Sequence, residues 1–216
     1  MHRGRLITIE GIDGSGKTTH IDHICAYLKQ RDIPVISTRE PGGTGLGEAL
    51  RDILIRRVDL TMDAETELLL MFSARMEHLK KRICPAIENG TWVVIDRFID
   101  ATYAYQGGGR GVSMDRIRFI ENWVMNGLLP DLTILLDLPV ELSLARTKTR
   151  EQSKDQDRFE LQNHQFKNKV REAYIDRAKK NPERIRIVDA SAEMQVVKLA
   201  ISEILDGLVG EIYKNV

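Results

Sequence analysis

The chain has 216 residues, 42% hydrophobic and 30% charged, which is enough for one well-buried core and short for two, so a single domain spanning 1–216 is expected. Lysine plus arginine equals aspartate plus glutamate at 32 each, which argues against the basic field that a nucleic-acid polymer asks of its partner. Cys25 and Cys84 lack metal-ligand spacing, and no stretch approaches the ~20 apolar residues of a membrane span, so a cytoplasmic protein with no membrane partner is expected.

Leu6-Ile7-Thr8-Ile9 reads as a short apolar strand. It leads into Gly11-Ile12-Asp13-Gly14-Ser15-Gly16-Lys17-Thr18, which fits G-x-x-x-x-G-K-[ST], and then into an amphipathic helical pattern through His20, Ile24, Tyr27 and Leu28. Strand, glycine-rich turn and helix are the context in which this pattern binds nucleotide phosphates. The glycines allow backbone N–H groups to converge on phosphate oxygens, and the helix amino terminus adds partial positive charge. Lys17 is placed to reach the β and γ phosphates, and the Thr18 hydroxyl to coordinate Mg²⁺.

Further strands are predicted at Pro34–Thr38, Trp92–Ile95, Leu132–Leu136 and Ile185–Val188. Helical patterns fall at Gly45–Arg56, Ala64–Glu88, Met114–Asn126, Val140–Arg150, Phe159–Lys179 and Ala192–Ile212. Near-continuous apolar strands separated by helices point to an α/β, doubly wound fold, a parallel sheet covered on both faces. From Thr147 to Asp157 the sequence has no apolar residue and can bury nothing, so a solvated, mobile lid at about 147–158 is expected. His2, His20, His23, His78 and His164 show no metal-ligand grouping. A P-loop alone does not name a reaction, because ATPases, GTPases and kinases share it.

Three more segments narrow the choice: Thr38-Arg39-Glu40-Pro41-Gly42-Gly43-Thr44, Asp96-Arg97-Phe98, and Ala104-Tyr105-Gln106-Gly107-Gly108-Gly109-Arg110-Gly111. With the P-loop, in this order and spacing, they closely resemble the bacterial thymidylate kinases, and the resemblance runs from about Leu6 to the carboxy-terminal helix. It implies a P-loop fold with a five-stranded sheet and a lid, transfer of a phosphoryl group from ATP to dTMP with Mg²⁺, and a homodimer. It also implies site residues. Asp13, acidic inside a phosphate-binding loop, would face the acceptor side, and Arg39 and Arg51 the acceptor phosphate. Asp96 would sit near Mg²⁺, with Arg97 between the two phosphate chains. Arg75 falls on the family's base-binding arginine, with Thr102, Tyr105 and Gln106 as further base or ribose contacts.

Two positions depart from the family pattern. Met71 stands where a phenylalanine usually stacks on thymine, with Phe72 one residue, or about 100°, out of register, and both are candidate acceptor contacts. Ala101 stands where a serine is usual. The loop also carries Gly14-Ser15 where one subgroup has an arginine, so the transition-state cation is expected from the lid. Arg150 is the first candidate, Arg158 the second, and Arg146 a donor-side contact. Two other readings stay open: a kinase for another or several deoxynucleoside monophosphates, and a nucleotide-binding regulator without transfer chemistry.

Overall fold

A computed structural model of the chain describes residues 3–148 and 158–214. Its centre is a five-stranded parallel sheet in the order β2-β3-β1-β4-β5, with β1 Leu6–Glu10, β2 Val35–Arg39, β3 Trp92–Asp96, β4 Leu132–Asp137 and β5 Ile185–Asp189. Each strand runs one residue past the apolar stretch visible in sequence. That extra residue is charged in every case, Glu10, Arg39, Asp96, Asp137 or Asp189, and lies at the carboxyl end of the sheet.

Alternate strand residues supply two cores. Trp92 and Val94 join the cluster that holds Ile24 and Leu28 of α1 (Lys17–Lys29) and Ile201 and Leu205 of α9. Val93 and Ile95 face the cluster of Leu68 and Phe72 on α3 and Ile117 on α6. Fully burying each such side chain contributes on the order of 2 kcal/mol, and the three central strands β1, β3 and β4 are buried along nearly their whole length.

The helical regions are less regular than their sequence patterns. The pattern from Gly45 divides into α2 (Gly45–Arg51) and a π-helical Asp52–Arg56, and the long pattern from Ala64 divides into α3 (Ala64–His78), a π-helical Leu79–Ile83 and α4 (Cys84–Glu88). After β3 come α5 (Ile99–Thr102) and a π-helical Tyr103–Gly109, neither of which sequence periodicity shows. Then follow α6 (Met114–Met125), α7 (Val140–Lys148), α8 (His164–Lys180) and α9 (Met194–Lys214). The helix expected from Phe159 begins at His164, because Asn163 caps it by accepting from Phe166 N at 2.9 Å. Most of the expected lid, residues 149–157, lies outside the described residues. No helix among the described residues is long and apolar enough to cross a membrane.

β1 has β3 on one side and β4 on the other, so the strand order reverses direction there. The loop that leaves β1 therefore opens into the crevice where open parallel sheets bind ligands.

Candidate active site

Residues 11–16 wrap from β1 to α1. Gly11 has φ 136°, and a Cβ there would come 2.5 Å from the carbonyl oxygen of Leu136. Gly16 caps α1 at φ 88°, in the left-handed region. The loop is clamped from outside by α7: Ser143 Oγ donates to the Asp13 carbonyl at 2.6 Å, and Arg146 Nη1 to the carbonyls of Gly14 at 3.3 Å and Ala190 at 3.0 Å. Ile12 turns its side chain into the core, so it can offer a ligand only backbone. Lys17 is buried, its Nζ donating to the carbonyls of Gly11 and Ile12 at 3.2 and 3.3 Å. Burial and the neighbouring Arg97 lower its pKa, against the raising effect of Asp96, Asp13 and Glu10.

The carboxylate inside the loop has a counter-ion. Arg97 Nη2 donates to Asp13 Oδ1 at 2.6 Å, and Lys17 Nζ is 3.9 Å from the same oxygen. Burial pushes Asp13 up, but Arg97 and Lys17 outweigh it and hold the carboxyl below the ordinary carboxylate range. Arg97 sits at φ 62°, a conformation that costs a non-glycine residue about 1 kcal/mol or more. Its Nη1 donates to the Gly11 carbonyl at 2.7 Å and to Tyr174 Oη at 3.2 Å, and its guanidinium lies 4.8 Å from the centre of the Tyr105 ring.

Lys17, Thr18, Asp13, Asp96 and Arg97 open into one cavity of about 280 Å³, whose farther wall carries Arg51, Met71, Arg75, Thr102, Tyr105 and Gln106. On that wall Arg75 is buried and donates Nε to Glu40 Oε2 at 2.7 Å, Nη1 to Thr102 Oγ1 at 2.9 Å and Nη2 to the Phe98 carbonyl at 3.0 Å. His78 joins Glu40 Oε1, at 3.1 Å, to Thr38 Oγ1, at 2.9 Å. Gln106 Nε2 donates to buried Glu67 at 2.9 Å, and Arg110 closes the other oxygen of that carboxylate at 3.1 Å. Gly109 lets this segment press on α8, since a Cβ would lie 2.6 Å from the Phe166 ring. Arg51 Nη1 donates to the Pro41 carbonyl at 2.9 Å.

The structure corrects several expected positions. Phe72 is not on the cavity wall: the rotation of one residue sends its ring into the core beneath the sheet, and Met71 alone of the pair faces the cavity. Arg39 turns outward and pairs with Glu48 at 2.9 Å, with its side chain 51% exposed. Arg158 is buried on the carbonyls of Arg57, at 2.9 Å, and Leu60, so it points away from the P-loop, although its neighbours Phe159 and Glu160 line the cavity. Arg150 lies outside the described residues. The carboxylates Glu10, Glu40 and Glu67, and Tyr174, escaped the sequence reading. Two of these had a signal: Glu10 as a carboxylate ending an otherwise apolar strand, and Glu40 as a member of the Thr38–Thr44 motif.

Asp96 Oδ1 is buried without a hydrogen-bond partner among the described residues and lies with Thr18 on the same cavity. An orphaned carboxylate oxygen beside a hydroxyl suits Mg²⁺, which takes one or two protein ligands and fills its shell with water and phosphate oxygens. Behind the loop a second cavity of about 610 Å³ is lined by Gly14, Ser15, Gly16, His20, Arg146 and residues 190–194.

A family profile described as thymidylate kinase matches residues 9–201. A thymidylate kinase of Vesicomyosocius okutanii is 50% identical over 208 residues, covering 96% of this chain and all of the relative. One from Nitrosomonas eutropha is 50% identical over 206 residues, covering 95% and 94% of the two chains. The crystal structure of thymidylate kinase from Ehrlichia chaffeensis superposes with a TM-score of 0.74 at 33% identity, over 94% of this chain and 99% of that one.

Proposed function

The chain belongs to the thymidylate kinase family, and from that premise we propose that it transfers the terminal phosphoryl group of ATP to dTMP, giving ADP and dTDP. The observation that carries this reading is the shared cavity: Lys17 and Arg97 lie on one side, and Arg51, Arg75, Thr102 and Gln106 with Met71 and Tyr105 line the other. Phosphoryl transfer asks for positioning and for cations around the moving group, with little covalent help. Lys17 serves the donor β and γ phosphates, Arg97 lies between donor and acceptor phosphates, and Arg51 meets the acceptor phosphate. Asp13 steers the acceptor side while it orients Arg97 and Lys17. Arg75 and Gln106 present donors to the base edge, Thr102 a hydroxyl, and Met71 and Tyr105 cover the ring.

Thr18 and Asp96 are the residues that would hold Mg²⁺, which when bound neutralises charge on the β and γ phosphates. The backbone N–H groups of residues 11–16 cradle those phosphates, and the second cavity, with Arg146 on its rim, receives the donor nucleoside. Arg150 supplies the transition-state cation from the lid, with Arg158 its alternate once released from the Arg57 and Leu60 carbonyls. The chain acts as one kinase domain and as a homodimer. What supports the dimer is an apolar surface that includes Phe119 at 75% and Trp123 at 74% exposure on α6. Free Cys25 and Cys84 support a reducing, cytoplasmic setting.

ADP release that depends on dTMP tests the reading. Lys17→Ala is expected to lower kcat by about three orders of magnitude, the effect of losing a principal phosphate cation; normal turnover in that variant would remove the mechanism, and a wild type inert with every acceptor would favour a regulator. A broader acceptor range is the second reading, favoured by the slim Met71 and Ala101 on the cavity wall.

A further inference from the structure

Arg97 holds an unusual backbone conformation, and nothing in its own contacts with the P-loop explains why that conformation persists. The explanation lies behind the site. Glu10, the last residue of β1, is fully buried, and its two oxygens are both engaged: Oε1 accepts from the backbone N–H of Phe98 at 2.7 Å, and Oε2 from the Tyr174 hydroxyl at 2.8 Å. Tyr174, on α8 and also buried, in turn accepts from Arg97 Nη1 at 3.2 Å. A chain of donors therefore runs in one direction, from the guanidinium to the phenol to the carboxylate. The same carboxylate fixes the peptide that follows Arg97, and the next peptide is held by its Phe98 carbonyl, which accepts from Arg75 Nη2 at 3.0 Å.

We infer that Glu10 and Tyr174 are positioning residues that aim Arg97 at the phosphates, Glu10 by pinning the turn at Arg97-Phe98 and Tyr174 by fixing the guanidinium. Neither lines the cavity; each acts on a residue that does. With one Glu10 oxygen on the Phe98 N–H and the other on the Tyr174 hydroxyl, the phenol oxygen is left facing the arginine. Held in this way, Arg97 keeps its geometry without reorganising as the phosphoryl group moves, which is the condition for electrostatic stabilisation of a transition state. A free arginine would give up part of that advantage to its own rotamers.

The inference rests on the assignment of Arg97 to the phosphates, and the test separates the two. Steady-state turnover is measured for Tyr174→Phe, Arg97→Ala and the double variant, each checked for folding by its thermal midpoint. Tyr174→Phe is expected to lower kcat about tenfold with KM for dTMP and ATP within about twofold, the cost of one hydrogen bond to a charged group. In the Arg97→Ala background the same change is expected to cost less than about twofold, because the group it positions is gone. Glu10→Gln, which keeps an acceptor for Phe98 but none for Tyr174 in the native sense, is expected to behave as Tyr174→Phe and replaces it in the cycle if that variant does not fold. Normal turnover in Arg97→Ala would remove the phosphate assignment itself. A low-activity Arg97→Ala with Tyr174→Phe unimpaired, or impaired by the same factor in both backgrounds, would overturn the positioning role alone.

Discussion

The acceptor-side cavity and the cavity behind the P-loop share Gly14 and Gly16 and little else. In the first, charged and polar side chains are tied to one another: Arg75 to Glu40, Arg97 to Asp13, Gln106 to Glu67. In the second, the wall is loop backbone, small residues and hydroxyls, with Arg146 resting on carbonyls and Met194 54% exposed. Paired charges in a low-dielectric setting hold fixed positions, so a substrate finds its partners already in place. A backbone wall follows the loop and is indifferent to most side-chain changes. On the proposed assignment of the two cavities, the difference teaches that selectivity resides on the acceptor side, and that its cost is a set of buried charges that cannot be removed singly.

The largest break in that comparison is expected from Arg75→Ala. Losing the guanidinium leaves Glu40 buried at 6% exposure with His78 as its one remaining side-chain partner among the described residues, which costs about 3 kcal/mol of stability. KM for dTMP is expected to rise about 100-fold, while KM for ATP, whose proposed contacts are the P-loop and the second cavity and not Arg75, stays within about threefold. Denaturant titration and initial rates check both halves.

A subtler break comes from pH. Burial, with Asp100 adding to it, raises Glu10 from 4.5 to about 7 against the lowering effect of Tyr174, Arg97 and the Phe98 N–H. An acid raised on folding contributes stability that is complete below its unfolded value and is lost as pH rises through its folded value. Glu10 is therefore expected to cost stability progressively from pH 4.5 to about 7. Glu10→Gln lacks this dependence, so its stability relative to wild type should improve across that window; a flat difference in unfolding free energy would contradict it. The smallest effect is expected at Arg39, whose exposed pair with Glu48 lies outside both cavities. Arg39→Ala should change stability by less than about 1 kcal/mol and leave kcat within about twofold.

The sheet and the P-loop were legible in sequence because each rests on a local signal: apolar strands of fixed length, and glycines at fixed spacing before a lysine. Arg51, Arg75 and Arg97 were legible through family motifs, and the structure brings all three to one cavity. The partners that hold the site were not. Glu40 lies in a family motif, but the pairings of Glu40 with Arg75, Glu67 with Arg110 and Tyr174 with Arg97 span 35, 43 and 77 residues of chain, separations that no local pattern encodes. The π-helical turn at Tyr103–Gly109 was hidden for a related reason, since its widened register depends on packing against α8. Phe72 and Arg39 went astray because a motif gives a residue's position along the chain but not the direction of its side chain.

The account stands on a pyrimidine acceptor held by Arg75, Gln106 and Met71. Initial rates with saturating ATP and Mg²⁺ on dTMP, dUMP, dCMP and dGMP, measured side by side as kcat/KM, test it most directly. The expected result is dTMP first, dUMP next, and dCMP and dGMP at least about 100-fold lower, as a site built to hydrogen-bond one base edge rejects another. A dTMP value no higher than those of dCMP or dGMP would contradict it.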